Sequence, residues 1–153
     1  MEFTNKRTIL ITAYLLLVLA ITQAIYTALY VAEIGFSRQI LWGLEAVVFT
    51  VLVSFAGAAM TQAKNYQLGW SAIAFSAVLN IVQVSIGLSL FSSFGKVAGN
   101  VEGAQPLIGG VVALSFMIYY AAKVLLGLAA LVFGMVSLAK GGKTIGGLTA
   151  LAG

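Results

Sequence analysis

Two ionisable side chains, Glu45 and Lys123, stand inside long apolar stretches of this 153-residue chain. A charge near a bilayer centre costs about 2.5–3.5 kcal/mol on insertion scales, so such residues pair with one another or line a cavity. Their depths can be compared by counting back to basic residues of the side taken as the inner face. Glu45 lies 19 positions from Lys64 and Lys123 lies 17 from Lys140, roughly 28 and 25 Å along a helix. Gln23, 16 positions from Arg7, and Gln83, 17 from Tyr66, reach roughly 24 and 25 Å by the same rule. Each of four apolar stretches thus offers one strongly polar side chain at a similar level.

Helical spacing adds companions to this layer. Asn80 shares a face with Gln83, Tyr26 with Gln23, and Tyr119 and Tyr120 with Lys123, because residues three or four apart are neighbours on a helix. Three readings are open for the layer Glu45, Lys123, Gln23, Gln83, Asn80, Tyr26 and Tyr119. It can be a hydrogen-bonded clamp that fixes helix register. It can be a set of side chains snorkelling to the outer headgroups. It can also be a polar pocket for a small solute, a lipid headgroup or a quinone ring, with an ion pair between Glu45 and Lys123 geometrically allowed.

The elements that must position these residues follow from composition. Hydrophobic residues make up 61% of the chain and charged residues 8%, against roughly 25% charged in soluble domains. The mean hydropathy is +1.08. Four apolar runs, at about 8–32, 39–63, 68–94 and 107–139, each exceed the roughly 20 residues that cross a hydrocarbon core as a helix. The short alternating segments of a membrane β-barrel are absent. In lipid each backbone N–H and C=O must be satisfied within its segment, so the runs are predicted to be helices. Lys6 and Arg7 ahead of the first run imitate a signal-peptide n-region, but the run is too long for an h-region.

The expected fold is an all-α membrane bundle of four transmembrane helices in up-down-up-down antiparallel order, one domain over 1–153. Orientation follows from the basic residues: Lys6, Arg7, Lys64, Lys140 and Lys143 on one side, Arg38 and Lys96 on the other. That bias predicts N-in, C-in. Trp42 and Trp70 are expected as interfacial anchors. The fourth run is longer than a bilayer needs, so it must tilt, project or break near Gly109-Gly110. Pro106 sits where a helix can begin, and the preceding segment from Gly95 reads as an external loop. The Gly-rich tail 141–153, with Ile145, Leu148 and Leu151 at every third position, is either a short interfacial helix or a flexible end.

Small residues form stripes. Ser115, Ala122 and Ala129 recur at seven-residue spacing on the fourth run, Gly127 and Gly134 on another face, and Ala72, Ser76 and Asn80 line the third. Such stripes permit close helix approach. Phe49, Phe55, Phe75, Phe91, Phe116 and Phe133 are expected in packing or facing lipid.

The chain has no Cys, no His and no Asp. Disulfides, zinc sites and a Ser-His-Asp triad are therefore excluded, as is His-ligated haem. No cofactor is assigned. The net charge of +4 is distributed over helix ends, and nucleic acid is not expected as a partner. Membrane lipids are, together with other membrane-protein subunits or further copies of the chain. The first expectation for function is a non-catalytic accessory or structural subunit of a larger membrane complex, in a bacterial or archaeal cytoplasmic membrane. The alternatives are a small transporter or channel with a polar site around Glu45 and Lys123, and a membrane enzyme acting on a lipid or quinone.

Overall fold

The computed structural model describes residues 5–63, 65–90 and 92–153, with Ser93 described in its backbone alone. Lys64 and Phe91, used above as an anchor and a packing aromatic, lie outside the described residues. The described chain is all-helical: α1 (Asn5–Val31), α2 (Arg38–Gln62), α3 (Gln67–Leu90), α4 (Ser93–Ala98), α5 (Gln105–Ala139) and α6 (Lys143–Ala152). Four of these, α1, α2, α3 and α5, are long and apolar enough to cross a membrane. Large apolar side chains such as Leu10, Leu17, Val47, Phe75, Met117 and Val124 stand exposed around them, as helices solvated by hydrocarbon require.

The helix ends have local causes. Glu33 and Tyr66 take positive φ, 53° and 66°, and these left-handed residues stop the helical path after α1 and before α3. Pro106 occupies the first turn of α5, where its missing N–H leaves no bond unmade. The segment expected as a loop is partly helical. α3 ends at Leu90, and α4 starts behind Ser92, whose hydroxyl accepts from Phe94 N–H at 3.4 Å. α5 runs 35 residues without a break, roughly 52 Å. Gly109 and Gly110 face open space and lie within the unbroken helix, which leaves tilt or projection to absorb the excess length.

Close neighbours are α1 with α2, α2 with α3, α3 with α5, and α5 with α6. The core is the α2–α3 seam and its flanks, with Phe49, Leu52, Ala56, Ala59, Ala72, Ile73 and Ala77 buried together. In lipid the drive for such packing is van der Waals contact between complementary surfaces. No buried side-chain nitrogen or oxygen among the described residues lacks a hydrogen-bond partner. Hydroxyls inside helices bond back to their own backbone, as Thr12 does to Thr8 O at 2.9 Å and Thr22 to Leu19 O at 2.9 Å.

Both tryptophans, expected as interfacial anchors, pack against protein. Trp70 is 8% exposed and meets Phe133 edge-on, with ring centroids 4.9 Å apart. Trp42 lies against Gly87, where an added Cβ would come within 3.2 Å of the indole. Gly87 leaves the space that the Trp42 ring fills, and Gly69 the space that Phe133 fills beside Trp70.

The tail is a helix, and it is docked. α6 runs back along α5, with Gly146 beside Leu138, Ala150 against Gly134, and Gly153 against Gly127. Gly141, at φ +90°, makes the reversal that a side chain would obstruct. The Gly127/Gly134 stripe is therefore spent within the chain. Ile145, Leu148 and Leu151 point away from α5 and are exposed.

Candidate functional site

The polar layer is built first from α1 and α2. Gln23 Nε2 donates to Glu45 Oε1 at 2.7 Å, and Glu45 is only 2% exposed. A carboxylate removed from solvent needs donors, and Gln23 supplies one, leaving acceptor sites on the group. One turn toward the α1–α2 connection, Tyr26 and Trp42 pack with centroids 6.4 Å apart. Arg38 closes this end, its guanidinium carbon 6.0 Å from the Tyr26 ring centre and 5.6 Å from that of Tyr30, within cation–π range.

α5 contributes Tyr119 and, one turn on, Lys123. The Lys123 ammonium lies 4.8 Å from the centre of the Tyr119 ring. Glu45 is within Coulombic range of both groups. The hydrogen bond of Glu45 is nevertheless to Gln23 and the ring contact of Lys123 is to Tyr119. The acid and the base line adjoining cavities of one seam, each held by a neutral neighbour.

These side chains border cavities in the space between α1 and α5, which do not pack closely on each other. One of about 280 Å³ is lined by Gln23, Tyr26, Glu45, Gln83 and Tyr119, with Arg38 and Trp42 at one end. A second, of about 180 Å³, shares Gln23 and continues past Lys123 to apolar walls of Leu16, Leu19, Phe49, Leu52 and Leu126. A third, about 530 Å³, shares Tyr26 and Arg38 and opens at the α1–α2 connection. The shared residues make the three a series along one seam.

Of the seven layer residues expected from the sequence, six therefore line this seam. Asn80 does not. It is buried, and its Nδ2 donates to Ser76 O at 2.9 Å. It supports the α3–α5 contact, where Ser76 Oγ donates to Ala122 O at 2.8 Å. Sequence reasoning missed Arg38, Trp42, Gly87 and Ser115 as lining residues. Arg38 had been taken only as a loop charge and Trp42 only as an anchor. The usable signal was spacing: Arg38, Trp42 and Glu45 fall on one helical face, as do Gln83 and Gly87. Comparison with protein-family models, curated proteins and solved structures finds no match to this chain.

Proposed function

We propose that this small integral membrane protein binds an amphiphile in the cleft between α1 and α5, without chemical conversion of it. The observation that carries the reading is one buried acid, Glu45, in the wall of a cavity to which all four long helices contribute polar side chains. A clamp that merely fixed register would close the seam and fill the space. Here the polar groups border unfilled volume instead. Ligand sites in helical bundles have this character, with apolar walls and a few convergent polar groups.

In this reading the four helices cross in up-down-up-down order, with both ends on the cytoplasmic side. The contacts Gln23–Glu45 and Tyr26–Trp42 between α1 and α2, and Ser76–Ala122 and Trp70–Phe133 between α3 and α5, run in opposite chain directions and support the order. The placement of Lys6, Arg7, Lys140 and Lys143 against Arg38 and Lys96 supports the orientation. The cytoplasmic membrane of a bacterium or archaeon is the proposed location. A role as accessory subunit of a larger complex is the second reading. It is favoured by the exposed Ile145, Leu148 and Leu151 stripe on a helix already docked by its other face.

Native mass spectrometry of the chain extracted in mild detergent tests both. The expected result is a bound small-molecule mass at fixed stoichiometry, most of it lost in Thr27→Trp, which fills the cleft from an exposed position of α1. A chain with no bound molecule, or a bound mass indifferent to Thr27→Trp, overturns the cleft reading. A protein partner at fixed stoichiometry in place of the small molecule establishes the second.

A further inference from the structure

Resting on the cleft reading, we infer that the amphiphile is an aminophospholipid, with its ammonium on Glu45 and its phosphate on Lys123. The argument is the order of chemistry along the seam. Starting from the Arg38 end come Glu45 and Gln23, then Lys123 one turn beyond Tyr119, then Leu16, Leu19, Leu52 and Leu126. A phospholipid with a terminal amine presents the same order: cation, anion, then hydrocarbon. Two carbons and an oxygen separate its nitrogen from its phosphorus, so one headgroup can meet two opposite charges that lie within Coulombic range of each other, as Glu45 and Lys123 do. The cavities around Glu45 and Lys123, about 280 and 180 Å³, are of headgroup size. The acyl chains leave sideways through the gap between α1 and α5, which do not pack closely.

The same residues discriminate among headgroups. Glu45 accepts one hydrogen bond, from Gln23, and a carboxylate has room for more. A primary ammonium supplies N–H donors to it; a trimethylammonium has none. Aromatic faces could hold a trimethylammonium instead, but two of the rings at hand already face cations, Tyr26 under Arg38 and Tyr119 under Lys123. An anionic lipid without an amine would satisfy Lys123 and bring no partner to Glu45.

The test offers the purified full-length chain an equimolar mixture of phosphatidylethanolamine, phosphatidylcholine and phosphatidylglycerol with identical acyl chains, and counts retained lipid by native mass spectrometry. The ethanolamine lipid is expected to exceed each of the others by about tenfold, the scale of one charge-assisted hydrogen bond. Glu45→Gln, near-isosteric and able to keep a bond to Gln23, is expected to remove that preference; Lys123→Gln is expected to weaken the ethanolamine and glycerol lipids together. The wild-type comparison stands whether or not either variant folds. Equal retention of the choline lipid overturns the amine assignment. So does retention of the glycerol lipid equal to that of the ethanolamine lipid, and in both cases the cleft reading survives. Displacement by an equal concentration of soluble glycerophosphoethanolamine overturns the lipid as source while keeping the headgroup chemistry. Retention of no lipid, or retention unchanged by Thr27→Trp, overturns the cleft reading and this inference with it.

Discussion

Helix α5 faces α3 on one side and α1 on the other, and the two seams are built differently. Against α3 it turns Ser115, Ala122 and Ala129, which meet a stripe of Ala72, Ser76 and Ala77, all buried. The backbones come near enough for Ser76 Oγ to reach the carbonyl of Ala122. Against α1 it turns Tyr119, Lys123 and Leu126, opposite Gln23, Leu19 and Leu16, and there cavities remain. Lipid tails are as apolar as leucine, so burial alone does not draw helices together. Small side chains allow axes to approach until dispersion and short hydrogen bonds accumulate. Long polar side chains hold the axes apart and are then satisfied across the space they create.

The sharpest attack on this contrast is Ala122→Leu. Ala122 is wholly buried, and overpacking such a site costs about 1–3 kcal/mol. A substantial fall in unfolding midpoint in detergent is expected; an unchanged midpoint would mean the α3–α5 seam is not the tight one. Gly134→Val comes next. Its side chain would strike Ala150, so α6 should leave α5. Amide exchange over 143–152 is expected to rise at least about tenfold with the rest of the chain little changed, since a locally undocked element opens without global unfolding.

Ser76→Ala removes the interhelical bond to Ala122 and one partner of Asn80. Intramembrane hydrogen bonds average about 0.6 kcal/mol in double-mutant cycles, and a loss of that order in equilibrium unfolding is expected. The smallest effect belongs to the open seam. Ala20 is exposed and borders the deeper cavity. Ala20→Leu should shift stability by less than about 0.5 kcal/mol. If Ala20→Leu and Ala122→Leu cost the same, the distinction between the seams fails.

Much of the site was legible before the fold. Counting residues from Arg7, Lys64, Tyr66 and Lys140 put Gln23, Glu45, Gln83 and Lys123 at similar depths, because a helix converts sequence number into depth linearly; the first three line one cavity and Lys123 the adjoining one. Counting could not assign partners. Glu45 bonds to Gln23 because α1 and α2 are joined by a short connection and pack together, whereas Lys123 projects from a helix beyond the gap. Nor could it separate Asn80 from Gln83: three positions apart, they sit toward opposite edges of the face that α3 turns to the bundle. The small-residue stripes announced close contacts without naming them. Structure assigns the stripe of Ser115, Ala122 and Ala129 to α3, and that of Gly127 and Gly134 to α6.

Sequence by itself determined that four long segments are helical and apolar enough to span a membrane, and that Cys and His chemistry is closed to this chain. Both follow from side-chain type and run length, which need no neighbour to act. Tertiary structure decided which helices close on each other, that the Gly-rich tail docks along α5, that Trp42 and Trp70 turn inward, and that one seam stays open with an acid in its wall. Those outcomes depend on complementarity between surfaces distant in the chain. A glycine becomes a contact only when a ring or a backbone arrives to fill the space beside it.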